Sequence, residues 1–322
     1  MSVQPWLAEP WRQLAAALAQ GRLHHGLLFA APAGYGKRAL ATALAAAALC
    51  ERRGDDGHAC GRCRGCLLFA AGSHPDFTRV TFELRDDGKP RTEITIDQMR
   101  ALSRRLALAS QFGGLQLALV DPADRLNLSA ANALLKTLEE PARATILLLV
   151  ADEPARLPPT IRSRCQRIDV RAPSRAEALA WLREQRVDAA AAAAALDASL
   201  GNPGLALGWS ADDMLALRKA CADDLAALAR GRRRPADVAE AWAGDRPQER
   251  LWFAAVLARD EALAIARGGA GALGLTAREE IPKLAAWFGR ANQARGLLAT
   301  TVRIDLVLLE LLRGWSPDDE RA

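Results

Sequence analysis

The 322-residue chain has no apolar run near the roughly 20 residues that a membrane-spanning helix needs, and Met1-Ser2-Val3-Gln4-Pro5-Trp6 lacks the basic-then-apolar pattern of a secretory leader. The expectation is a soluble, cytoplasmic protein with no membrane partner. Aromatic residues are scarce at 5%, and tryptophan supplies eight of them. Alanine, leucine and arginine dominate instead, a helix-favouring mixture, and the chain is half hydrophobic, enough for two or three domains with real cores. A charge excess of one sign is nearly absent too. The net charge of +5 and a sequence pI near 9.1 permit nucleic acid without demanding it.

A more informative lack lies inside a motif. Ala31-Pro32-Ala33-Gly34-Tyr35-Gly36-Lys37-Arg38 has the outline of a phosphate-binding loop, G-x-x-x-x-G-K-[ST], in which backbone N–H groups cradle phosphates and the final hydroxyl ligates Mg²⁺. The first glycine is Ala31 and the hydroxyl is replaced by Arg38, while Gly34, Gly36 and Lys37 survive. The apolar run Gly26–Ala30 before it and the alanine-rich helix 38–49 after it supply the strand, loop, helix context such a loop needs. A second buried strand, 115–120, ends at Asp121, where a Walker B aspartate organises Mg²⁺. The next position, glutamate in working ATPases of this kind, is Pro122, which has no titratable group. ATP binding is not expected, and any nucleotide site formed by Gly34, Gly36, Lys37 and Asp121 is expected to be inactive.

Four of the six cysteines cluster as C-x9-C-x2-C-x2-C: Cys50, Cys60, Cys63 and Cys66. Zn²⁺ takes four thiolates in a tetrahedron, and closely spaced ligands need only short turns between them. With all four ligands from protein, the expected role is structural. His58 lies in the same loop and is superfluous to such a site. Cys165 and Cys221 read as ordinary buried small residues. His24 and His25 are adjacent and are expected to point to different faces.

The remaining pattern gives a strand at 77–84, a turn at 85–90, a strand at 93–96, a helix N-capped by Asp97, a helix at 129–140 and a strand at 145–150. Strands alternating with helices imply a parallel sheet covered on both faces. Further on, Ser174 and Glu177 form a capping box, residues 189–195 read as helix, and the segment from 208 is all-helical. There Leu251, Trp252, Val256 and Leu257 fit one helical face, and Leu297, Val302, Leu306, Leu309 and Leu312 another.

Asp121-Pro122-Ala123-Asp124-Arg125-Leu126-Asn127, then Ala131-Asn132-Ala133-Leu134-Leu135-Lys136-Thr137-Leu138-Glu139-Glu140-Pro141, and Leu157-Pro158-Pro159-Thr160-Ile161-Arg162-Ser163-Arg164-Cys165 resemble the bacterial clamp-loader family of AAA+ proteins. The four-cysteine insertion after the loop helix belongs to the same resemblance, which covers roughly the first 205 residues with specific motifs. It implies an AAA+ domain with its zinc module (50–66) over residues 1–170, a helical lid at 171–207 and an all-helical collar at 208–322. It also implies that Arg164, in the Ser-Arg-Cys signature, enters a neighbouring subunit's ATP site as an arginine finger. Two further elements depart from the ATP-using pattern: Gly201-Asn202-Pro203-Gly204 offers no cation where the lid usually does, and Ala151-Asp152 replaces a Thr, Ser or Asn sensor. The expected role is a non-motor subunit of the replicative DNA polymerase III clamp loader. Its expected partners are the γ/τ and δ subunits of a five-subunit assembly, and through them the sliding clamp and primer–template DNA. The competing readings are an active γ/τ-type ATPase and, from another class, a zinc-stabilised module that binds DNA without sequence preference.

Overall fold

The computed structural model describes residues 3–315 apart from Asp86, Pro90, Asp212, Thr276, Arg278 and 299–301. The chain divides into two compact units, Met1–Trp181 with Asn202–Gly204 and Leu182–Gly201 with Leu205–Ala322. Residues 171–207 are distributed over both.

The first unit is built on five parallel strands, β1 (Gly26–Ala30), β2 (Phe77–Val80), β3 (Gln116–Val120), β4 (Thr145–Ala151) and β5 (Gln166–Asp169), in the order β2-β3-β4-β1-β5. Every residue of β1, β3 and β4 is buried, as expected for parallel strands covered on both faces. Side chains alternate between two cores. Leu27, Phe29, Leu119, Leu148 and Val150 pack against α1 (Ala8–Ala19) and α2 (Lys37–Ala48). After the short helix α3 (Arg64–Ala70) come α4 (Ile96–Leu106) and α5 (Leu128–Glu139), which cover Leu28, Val120, Leu147 and Leu149 on the opposite face.

Three local expectations are corrected. The strand expected at 77–84 stops at Val80. The strand expected at 93–96 reduces to a single bridge between Ile94 and Leu126, because Ile96 already opens α4. The cap of α4 is Thr95, not Asp97. Gln98 Oε1 accepts from the Thr95 backbone N–H at 3.0 Å, closing a capping box that leaves Asp97 in the first turn, where a carboxylate favours the positive helix end. Of the turn expected at 85–90, Asp86 and Pro90 lie outside the described residues, while the Arg85 N–H donates to the Lys89 carbonyl at 2.8 Å. After the single turn α6 (Pro159–Arg162), helix α7 (Arg175–Glu184) opens on the expected box: Ser174 N–H donates to Glu177 at 2.7 Å and Glu177 N–H to Ser174 Oγ at 3.2 Å.

The second unit is all-helical among its described residues, comprising α8 (Ala189–Ala198), α9 (Pro203–Ala211) from Leu205 on, α10 (Met214–Ala229), α11 (Pro235–Gly244), α12 (Pro247–Ala266), α13 (Glu280–Leu297) and α14 (Ile304–Arg313). Its core centres on Trp242, Phe253 and Trp287. Each indole supplies apolar area and still finds an acceptor: Trp242 Nε1 donates to Asp224 at 2.8 Å and Trp287 Nε1 to the Leu311 carbonyl at 3.0 Å. Of the face read at Leu251, Trp252, Val256 and Leu257, Trp252 is half-buried and the other three are buried. The face expected over 297–312 is not continuous, since α13 ends at Leu297 and α14 starts at Ile304. Leu308, Leu311 and Leu312 are buried, and Leu297, Val302 and Leu306 are exposed. No described helix is long and apolar enough to cross a membrane.

Candidate functional site

The phosphate-type loop sits at the carboxyl end of β1, where the parallel sheet delivers it to the start of α2. Gly34 and Gly36 hold φ of +91° and +87°, values that L side chains rarely adopt. A side chain at Gly36 would also collide with Gln4 and Leu7, and one at Gly34 with Asn202. Four successive carbonyls of the loop are fastened. Pro32 O accepts from Lys37 Nζ at 3.1 Å, Ala33 O from Asn202 Nδ2 at 2.7 Å, Gly34 O from the Gly204 N–H at 3.1 Å and Tyr35 O from Trp6 Nε1 at 2.9 Å.

Lys37 is buried, with 1% of its side chain exposed, and pairs with Asp152. Arg38 spans two carboxylates. Its Nε meets Asp121 at 2.8 and 3.1 Å, and its two terminal nitrogens grip Asp152 at 2.8 and 2.7 Å. This bidentate arrangement is the strong, planar form of the pair. Arg79 adds a longer contact to Asp121 at 3.5 Å. Burial lowers the Lys37 pKa against the pull of Asp152. Burial pushes Asp152 up, yet the hydrogen bonds from Arg38 and Lys37 outweigh it and hold its carboxyl below the ordinary range. The hydrogen bonds to Asp152 raise Arg38 further. Asp124 is buried and turned to the backbone. It accepts from the N–H groups of Asp152 at 3.2 Å and Glu153 at 3.0 Å.

Gly34, Gly36 and Lys37 thus share the loop, and Arg38 links the loop to Asp121. Asp152, the acidic residue that completes the cluster, was legible only as a departure from the usual sensor residue. An acidic residue just past an apolar strand, together with an arginine in the loop, is the signal that would have linked them.

Cys50, Cys60, Cys63 and Cys66 converge, their sulfurs all within 4.8 Å of one another. Cys50 and Cys63 are 3.9 Å apart and Cys60 and Cys66 4.0 Å, close to the ~3.8 Å edge of a tetrahedron with Zn–S bonds of about 2.3 Å. Backbone N–H groups of Cys60, Cys63 and Cys66 point at the sulfurs of Cys50, Cys60 and Cys63 at 3.3–3.4 Å, as suits thiolate ligands. The backbone N–H groups of Arg62 and Cys63 lower the Cys60 thiol to about 6. The four cysteines could therefore hold a metal ion. His58 stacks flat on Trp11, with ring centres 4.0 Å apart, and stands outside the sulfur group.

Arg164 lies at the other end of β1. Its backbone is packed against Gly26, and β5 begins two residues later with Gln166 beside Leu27. The strand separates it from the loop by about 13 Å, at 3.3 Å per residue. Its guanidinium is partly exposed, bonded to Glu139 at 2.7 Å and to the Thr160 carbonyl at 3.0 Å. His24 and His25 line the same edge. Contrary to expectation their rings stack, 4.3 Å apart, but each spends a ring nitrogen on a separate carbonyl, Gly26 and Leu138.

A family model described as DNA polymerase III, delta subunit, matches residues 6–174. The chain belongs to this family. It is 43% identical over 180 residues to the DNA polymerase III subunit delta′ of Pseudomonas aeruginosa, covering 56% of this chain and 52% of the relative. It is 40% identical over 205 residues to the subunit delta′ of Escherichia coli, covering 63% and 59%. The chain thus spans between about half and three fifths of the length of these relatives. A gamma subunit-related protein of Thermotoga maritima aligns over 94% of this chain and 98% of its own, at 15% identity and a TM-score of 0.44.

Proposed function

We propose that the chain works as a delta′-type, non-motor subunit of the bacterial replicative clamp loader in the cytoplasm, and that it neither binds nor hydrolyses ATP. The observation that carries this reading is Arg38 lying between Asp121 and Asp152. A guanidinium stands where a Mg²⁺ ion would need those oxygens, and Lys37 is already paired. Pro122 supplies no base.

Arg164 serves a neighbour instead. It lies a strand's length from its own loop and at an exposed edge, so it acts only on a phosphate presented by another subunit. An arginine finger given in trans is worth about 10³–10⁵ in rate. The partners are γ/τ- and δ-type subunits in a five-subunit assembly, with the sliding clamp and primer–template DNA reached through it. The groove between α4 and α5, lined by Arg100, Arg104 and Lys136 with Ser103, Ser129 and Asn132, suits a phosphodiester backbone. The four cysteines hold a structural Zn²⁺, and residues 171–207 and 208–322 act as lid and collar.

The test has two parts. The purified chain with Mg²⁺ is expected to show no ATP turnover, and turnover abolished by Lys37→Ala would instead make it a motor subunit. Arg164→Ala is expected to fold normally and to slow ATP turnover of the reconstituted assembly; wild-type turnover there removes the finger role.

A further inference from the structure

We propose that Asp152, rather than Arg38, is the residue that keeps nucleoside triphosphates out of the loop, by serving as an internal substitute for the phosphates Lys37 would otherwise bind. The inference rests on the non-motor reading above and assigns its cause to one side chain.

Three observations carry it. First, the Lys37 ammonium is buried and its partners are Asp152 and the Pro32 carbonyl. A buried lysine keeps its charge only beside an anion, and the anion here is part of the chain. Second, Asp152 is held in place from behind. The register Ala30↔Ala151 sets it just past the end of β4, level with the start of the loop, and Asp124 fixes the backbone N–H groups of Asp152 and Glu153. Third, the charges close on themselves. Lys37 and Arg38 balance Asp121 and Asp152, with Arg79 only at the margin.

That balance makes the two single substitutions act in opposite directions. Arg38→Thr restores the hydroxyl of the loop motif but leaves the cluster net negative, with Lys37 still paired, so a triphosphate is repelled. Asp152→Asn leaves it net positive and frees Lys37 within an unchanged loop, so a triphosphate is attracted. Arg38→Thr by itself releases Asp121, but only the double variant frees Lys37 and Asp121 together, so that phosphate and Mg²⁺ can both be taken.

Titration calorimetry with ATP, with and without Mg²⁺, on wild type, R38T, D152N and R38T/D152N tests this on the full chain. Wild type and R38T are expected to bind nothing measurable. D152N is expected to gain binding at least about tenfold above the detection limit, a difference of about 1.4 kcal/mol, without needing Mg²⁺. The double variant is expected to bind more tightly in its presence. Binding by R38T alone equal to that of the double variant overturns the proposal, as does absence of binding in D152N and the double variant when both are folded by circular dichroism. Should the Asp152 variants not fold, lysine acylation read by mass spectrometry decides. Lys37 is expected to stay protected in R38T as in wild type, and a reactive Lys37 in R38T overturns the assignment to Asp152. ATP binding by the wild-type chain would instead remove the non-motor reading itself, before any variant is compared.

Discussion

The two ends of strand β1 carry similar chemistry and use it in opposite ways. At the carboxyl end, Lys37 and Arg38 meet Asp121 and Asp152 in a partly buried cluster of balanced charge, fastened by Trp6, Asn202 and Gly204. At the amino end, Arg164 meets Glu139 in a pair left 38% and 49% exposed. Burial decides what each is worth. A buried charge stripped of its partner costs about 3–5 kcal/mol, whereas an exposed pair contributes about 0–1 kcal/mol and gives it up readily to salt or to a stronger anion. The first end is therefore suited to hold the fold and the second to be exchanged for a phosphate.

The largest effect should come from undoing what secures the first end. The cysteine loop is tied to α1, with Trp11 Nε1 donating to the Asp56 carbonyl at 3.1 Å and His58 stacked on the same indole, and α1 follows the Trp6 turn that caps the loop. Chelation of zinc, or Cys60→Ser, is expected to lower the melting temperature of the first unit by well over 10 °C, since structural zinc contributes on the order of 10 kcal/mol, while the helical unit keeps its own transition. Calorimetry with metal stoichiometry checks this, and a full zinc complement in Cys60→Ser would defeat the four-thiolate assignment.

Next in size is Asp152→Ala. Leaving Lys37 buried without its anion should destabilise the first unit by about 3–5 kcal/mol in guanidinium unfolding. The pH dependence follows from the lowered Asp152 pKa. A carboxyl lowered on folding stabilises fully above its unfolded value of about 3.9 and loses that contribution as pH falls toward its folded one. The gap between wild type and Asp152→Asn is thus expected to be constant near neutrality and to narrow below about pH 4; a gap that widens in acid would contradict the ion-pair account.

Smaller still is Glu261→Ala, in the helical unit. Its buried carboxylate accepts from the N–H groups of Leu273 at 2.9 Å and Leu275 at 2.6 Å, so its loss should cost about 2–3 kcal/mol, confined to the helical unit. The smallest change is expected at the exposed end. Glu139→Ala should shift stability by about 1 kcal/mol or less, and a loss as large as that of Asp152→Ala would erase the distinction between the ends.

How much of this was legible varies with the range of the interaction. The loop, its strand and helix, and the cysteine spacing are local patterns, and they were read at the right positions. The capping box at Ser174 was read for the same reason. Asp97 is the expected cap of α4, yet Thr95 is also a capping residue type, and the reach of Gln98 decides for it. The strand at 93–96 has the right composition but lacks a neighbouring strand to pair with.

By itself the sequence determined the altered phosphate loop, the thiolate set and the alternation of strand and helix, because each is written within a few dozen residues by turn geometry, ligand spacing or hydrophobic period. Only the tertiary structure decided that Asp152 would answer Lys37 and Arg38 across 115 and 114 residues of chain, and that Arg164 would stand at the opposite end of the same strand from the loop. Both depend on strand order and register in a parallel sheet, where neighbours in space are set by crossovers rather than by distance along the chain.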